Sequence, residues 1–326
     1  MESLNILHIS DAHIQMAGKE EIAEIVEKLV DDVLKVQKEQ DIKINLVCFT
    51  GDLIQRGDKA IDDEKQLEIA EEILVNPIMQ GLGLEKDKFI VVPGNHEVDI
   101  NKIVRATEKG LVVDSLEEIN DYVSHMNEAY LTRLDYFYEW VKNFYNDIII
   151  EKIGYAFLRE TDGKKIGISC IDSAWRSSGK GRCEKGILYV GQKQINDLYK
   201  HIKDADIKIC LMHHPEDWLS DYESTIIKRE LNKFDIVLQG HIHENDHKEV
   251  CRKSAYTIYS TAGKLYPLDY ALGRAVDGYN GYSILNIDFR NSLCNIYLRS
   301  YYAKERNNFD SAVNLVENGQ VSYQLN

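Results

Sequence analysis

Five short runs of β-forming residues each end in a side chain able to hold a metal ion, and no other feature constrains the fold as tightly. Ile6-Leu7-His8-Ile9-Ser10 leads into Asp11-Ala12-His13. Leu46-Val47-Cys48-Phe49-Thr50 leads into Gly51-Asp52, with Gly57-Asp58 following. Phe89-Ile90-Val91-Val92-Pro93 leads into Gly94-Asn95-His96-Glu97. Ile207 to Met212 leads into His213-His214-Pro215, and Ile236 to Gln239 into Gly240-His241-Ile242-His243. In α/β sheets, ligands bind outside the carboxyl ends of the strands. Five such ends side by side bring oxygen from Asp and Asn, and nitrogen from His, to one point. That donor mixture suits divalent Mn, Fe or Zn.

Asp11-x-His13, Gly51-Asp52, Gly94-Asn95-His96-Glu97, His213-His214-Pro215 and Gly240-His241-x-His243, in this order, resemble the calcineurin-like metallophosphoesterase superfamily. One such motif is weak evidence; five in order, each after a strand, are specific. The resemblance implies a four-layer α/β/β/α sandwich, two mixed β-sheets flanked by helices, with the site at one end. It implies two divalent ions, Mn²⁺ first, with Fe or Zn as alternatives. One ion falls to Asp11, His13, Asp52 and His243. The other falls to Asn95, His213 and His241 together with Asp52, which bridges the pair. His96 is implied to be catalytic, protonating the leaving oxygen or stabilising the phosphoryl group; its alternative is a histidine orienting a carboxylate. His214 replaces His213 if the register is shifted. Asp58 and Glu97 read as partners that orient ligands, and His8 as a packed strand residue.

The implied reaction is metal-dependent phosphoester hydrolysis, most of all of a phosphodiester. Two ions ~3.5–4 Å apart activate a bridging water for in-line attack on phosphorus. The expected substrates are a cyclic nucleotide, a small diester or a nucleic acid. A nuclease, an effector domain of a larger protein, and an inactive binding scaffold are the alternatives. The net charge of −15 counts against broad affinity for nucleic acid, which depends on Lys and Arg neutralising phosphates. After the strand at about 168–171, Arg176, Lys180 and Arg182 form a basic, Gly-containing loop that either holds phosphate oxygens or is only solvated.

Strand, helix, strand, helix and strand are expected over about 4–9, 19–40, 45–50, 63–76 and 88–92, with Pro77 perturbing the end of the second helix. This order argues for parallel pairing. Residues 99–150 form a helical insert with a Tyr-rich stripe that packs on the body, and that also caps the site on a sharper reading. A hairpin is expected around Asp162-Gly163, with helices at about 191–203 and 222–233. Strands at 255–261, 281–289 and 293–300 are expected to complete a second sheet. The domain thus spans 1–300, and 301–326 read as a surface strap or a linker.

No apolar run reaches the ~18 residues of a membrane span, and the first residues lack the pattern of a signal peptide. The six cysteines include no Cys-x-x-Cys pair, and three lie within apolar strands. Reduced thiols and a cytoplasmic setting are expected.

Overall fold

The computed structural model describes residues 3–56, 63–104, 113, 115–125, 132–161, 163–242, 247–251, 256–265 and 279–325. Two mixed sheets stack face to face. In the first, β1 (Ser3–Ile9), β2 (Leu46–Phe49) and β3 (Phe89–Val91) run parallel. The helical connections are α1 (Lys19–Gln40) and α2 (Asp63–Ala70), the latter continued by a π-helical turn (Glu71–Val75) and α3 (Asn76–Leu82). Pro77 perturbs the run without ending it: the α-helix gives way to the π-helical turn just before the proline, and the chain continues right-handed through Val75 and Asn76 into α3.

The second sheet starts with β4 (Ile149–Ile150) and the hairpin of β5 (Tyr155–Thr161) and β6 (Lys164–Cys170). β7 (Ile207–Leu211), β8 (Ile236–Gln239) and β10 (Tyr256–Thr261) extend it in parallel, and β9 (His247–Cys251) closes it antiparallel. Two strands expected in this sheet belong to the other. β11 (Gly281–Asp288) pairs antiparallel with β1, and β12 (Leu293–Tyr302) with β11. Strand signals in a sequence carry no sheet assignment, which is decided by pairing across more than 270 residues, as in Ser3 with Asp288. Residues 308–311 (β13) and 320–324 (β14) both pair with β12, so much of the C-terminal segment lies on the first sheet.

Burial follows the strand alternation. On β7 and the residue after it, Ile209 and Leu211 join the core between the sheets, while Cys210 and Met212 face outward beneath α6 (Gln192–Ile202) and α7 (Ser224–Leu231). On α1, Ile22, Ile25, Val26, Leu29 and Val33 form the buried stripe that the spacing predicts. Each such side chain contributes roughly 1.5–3 kcal/mol when fully buried. The same face buries Asp32, whose carboxylate binds Arg299 of β12 through Nε (2.7 Å) and Nη2 (2.5 Å) and accepts from the Tyr282 hydroxyl (2.6 Å). The sheets are also joined by polar contacts. His8 lies fully buried between Ser260 Oγ (3.3 Å) and Thr50 Oγ1 (3.0 Å), and the Tyr155 hydroxyl donates to the Val91 carbonyl.

The insert contains α4 (Leu116–His125) and α5 (Asp135–Phe144). Ile119, Val123, Phe137 and Val141 are buried, and Met126 and Tyr130 lie outside the described residues. Among the described residues, no helix is long and apolar enough to cross a membrane.

Candidate metal centre

The loops leaving β1, β2, β3, β7 and β8 meet at one end of the sandwich. Their backbones are tied together: Asp11 N donates to Gly51 O (3.0 Å), His13 N to Asp52 O (3.0 Å), and Gly240 N to His213 O (3.0 Å). Four candidate ligands, Asp11, His13, Asp52 and His241, have φ between 46° and 71°. They are half of the eight non-glycine residues with positive φ among those described. Left-handed backbone costs roughly 1–2 kcal/mol per residue, and such strain collects where side chains must be aimed at a ligand.

Asp52 is central. Its carboxylate lies 3.3 Å from His213 Nε2 and 3.9 Å from His13 Nε2. His13 Nε2 is also 3.5 Å from Asp11 Oδ1, and the Asp11 carboxylate accepts from His241 N at 3.2 Å. His213 Nδ1 meets the Thr50 carbonyl at 2.7 Å, which fixes its proton on Nδ1 and leaves Nε2 as a lone pair. That lone pair faces Asp52 Oδ2, Asn95 Oδ1 (3.2 Å) and His241 Nδ1 (3.1 Å). The His213 lone pair and the Asp52 and Asn95 oxygens are acceptors in mutual contact, which repel unless a cation or an added proton lies between them. Donors ~2.1 Å from one ion in an octahedral shell stand about 3.0 Å apart, which is the spacing seen here. The residues present therefore fit divalent ions. In the absence of a cation, burial works against a charge on His213, but the Asp52 carboxylate outweighs it and lifts its pKa to about 9.

Two glycines make this convergence possible. A Cβ on Gly94 would lie 2.2 Å from Asp52 Oδ1 and 2.5 Å from Asp52 N, and one on Gly240 would lie 2.2 Å from Ser10 Oγ. Glu97 holds the loops together, accepting from Asp52 N (3.0 Å), Ile54 N (3.0 Å) and Gly94 N (2.6 Å). Burial, and then the nearby Asp52 carboxylate, raise its pKa to about 7. The insert braces the same loop, because the Tyr136 hydroxyl donates to the Glu97 carbonyl (2.6 Å) and Asp99 N to Arg133 O (2.9 Å).

His96 stands beside the cluster, its ring edge-on to His13 with centroids 4.5 Å apart. Its backbone N–H donates to Asp52 Oδ1 at 2.8 Å. Nδ1 accepts from Arg56 N (3.4 Å), which puts the ring proton on Nε2. Burial lowers its pKa to about 3, so the imidazole is neutral at pH 7. His214 is fully buried beside His213 and His241.

A family model of the calcineurin-like phosphoesterases matches residues 4–245. The chain belongs to that family. Its members are metal-dependent phosphoester hydrolases, in agreement with the donor set. An uncharacterized metallophosphoesterase-like protein, YydB of Bacillus subtilis, is 24% identical over 257 residues, covering 74% of this chain and 49% of that protein. The chain thus spans about half the length of that curated relative. The purple acid phosphatase PPD1 of yellow lupin shares the fold, with TM-score 0.52, 12% identity, and coverage of 99% of this chain and 54% of that one. GAP50 of Plasmodium aligns over 100% of this chain and 89% of its own, with TM-score 0.47 and 12% identity.

Asp11, His13, Asp52, Asn95, His213 and His241 are brought together with His96 at their edge. His243 and Asp58 lie outside the described residues. Of the basic loop, Arg176 is buried near Tyr189, Lys180 is exposed with its N–H held by Glu184 (3.3 Å), and the side chain of Arg182 lies outside the described residues. One residue was passed over in the sequence. Arg56 Nη1 donates to the Asn95 carbonyl (2.7 Å), and its guanidinium lies against Gly179 of the basic loop. Its only sequence signal is its place four residues after Asp52 in the same exit loop.

Proposed function

We propose that the protein is a dinuclear metal-dependent phosphodiesterase. The observation that carries this reading is the position of Asp52, whose carboxylate is shared between a His213 side and a His13 side. In this reading Asp11, His13, Asp52 and His243 hold one ion, and Asn95, His213, His241 and Asp52 the other. When bound, two ions supply concentrated positive charge that acidifies water and offsets charge developing on a phosphoryl group. The protein's own groups do the rest. The Thr50 carbonyl fixes the His213 tautomer, Glu97 holds the Asp52 loop, and the strained backbones of Asp11 and Asp52 pre-aim their carboxylates. His96, neutral with its proton on Nε2, acts as a hydrogen-bond donor to a phosphoryl or leaving-group oxygen. The net charge of −15 favours a small diester or cyclic nucleotide over a long nucleic acid.

The test is hydrolysis of bis-p-nitrophenyl phosphate with added Mn²⁺ by the wild type and by Asp52→Asn. Manganese-dependent turnover that falls at least about 10³-fold in the variant supports the proposal, on the scale of losing one preorganised electrostatic group. No turnover by the wild type on this diester, on cyclic nucleotides or on oligonucleotides refutes it.

A further inference from the structure

His214 has a ring proton with nowhere to go. Its backbone N–H donates to Ser173 Oγ at 2.9 Å, and its own Nδ1 is 3.0 Å from the same oxygen. Ser173 is fully buried, so its hydroxyl hydrogen must find an acceptor, and Nδ1 is in place to take it. The tautomer is thereby fixed with the ring proton on Nε2. That Nε2 is buried and has no acceptor among the described residues. A buried, unpaired donor costs about 1–3 kcal/mol, so a group kept in this state has a partner in the working protein.

The surroundings say which kind. The His214 ring packs against His241 (centroids 4.5 Å apart) and His213 (4.8 Å), with Trp218 at 6.2 Å beyond His241, on which it stands edge-on at 3.9 Å. Ring nitrogens of the three histidines lie within 4.8 Å of one another. With its proton on Nε2, His214 cannot be a metal ligand through that atom; a metal needs the bare lone pair. It is instead an N–H donor at the rim of a cationic centre, where the partner that suits both is an oxyanion.

We propose that His214 Nε2–H binds a non-bridging phosphoryl oxygen of the bound ester and of inorganic phosphate. This makes His214 a substrate-binding residue rather than a misread neighbour of His213. It rests on the phosphoester reading above, but anion binding tests it without turnover.

Two variants separate the ring's two nitrogens. His214→Asn places a polar atom near Nδ1, keeps the Ser173 contact and lacks a donor at Nε2. His214→Gln reaches the Nε2 position with an amide N–H. Inorganic phosphate is titrated calorimetrically into manganese-loaded wild type and variants, with metal content and melting temperature measured on the same samples. Loss of an N–H bond to a charged oxygen predicts phosphate binding about 10- to 100-fold weaker in His214→Asn. His214→Gln is expected to stay within about threefold of wild type, since it retains the donor. Metal content is expected to be equal in all three. Wild-type phosphate affinity in His214→Asn overturns the proposal and leaves the Nε2–H to a bound water. Loss of metal in that variant also overturns it, and makes His214 a ligand. Absence of diester turnover, with the phosphate pattern as predicted, refutes the proposed activity and leaves this inference standing.

Discussion

Gly94→Ala tests whether the centre depends on close backbone approach. Gly94 has φ −103° and ψ −172°, a conformation open to alanine, so backbone strain is not the issue. The obstacle is volume. The added methyl would sit 2.2 Å from Asp52 Oδ1, 2.5 Å from Asp52 N and 2.9 Å from Asp52 Cγ. One of these atoms is backbone and the others belong to a side chain buried among its partners, so the loop after β2 must move as a unit. Overpacking of this kind costs typically 1–3 kcal/mol, and a backbone obstacle puts it near the top of that range. At about 2 °C per kcal/mol for a chain of this size, the melting temperature falls by about 6 °C. A second effect is specific to the site. Moving Asp52 breaks its approach to both His213 and His13, so manganese retained after dialysis falls and the stabilisation by added Mn²⁺ shrinks. Gly83→Ala is the control. Its φ of +65° costs about 1–2 kcal/mol, yet its new Cβ meets nothing within 4 Å and lies on a helix end. That variant melts lower but keeps its metal. Melting curves with and without Mn²⁺, with elemental analysis, read both effects. Wild-type metal content and melting in Gly94→Ala would refute the argument from close approach.

Arg299→Met leaves the Asp32 carboxylate buried without its cation and destabilises by about 3–5 kcal/mol in urea unfolding, while Asp32→Leu with Arg299→Met recovers much of the loss. Recovery of none of it would point to a distortion unrelated to charge. Glu223 is buried, accepting from Val190 N (2.5 Å) and Gly191 N (2.9 Å), and burial raises its pKa from 4.5 to about 7. The folded state therefore holds the proton longer than the unfolded state. The contribution is complete below pH 4.5 and is lost as pH rises through about 7. Glu223→Gln removes this dependence, so its stability relative to wild type rises by roughly 2–3 kcal/mol between pH 5 and 8; parallel pH profiles would sink the assignment.

The hydrophobic runs and the residues that end them determine a great deal unaided. A buried strand must be β-branched and apolar, and a side chain at its carboxyl end is free to be polar, so the strand ends carrying Asp11, Asp52, Asn95, His213 and His241 stand out from the pattern, while the choice of individual ligands among neighbours such as His213 and His214 comes from the family resemblance. The stripe on α1 and the hairpin of β5 and β6 were legible for the same reason: their periods report local burial. Only the tertiary structure decided the rest, because each item depends on partners distant in the chain. β11 and β12 read as strands, but nothing in their composition says that they join the sheet of β1. Asp32 breaks the stripe of α1 and is explained only by Arg299 and Tyr282, 267 and 250 residues on. Arg56 belongs to no motif and is marked only by its guanidinium on the Asn95 carbonyl, and His214, an alternative to His213 in the sequence, is set apart by its contacts with Ser173. Periodicity records which face a residue turns inward; what it meets there is set by how the two sheets close on each other.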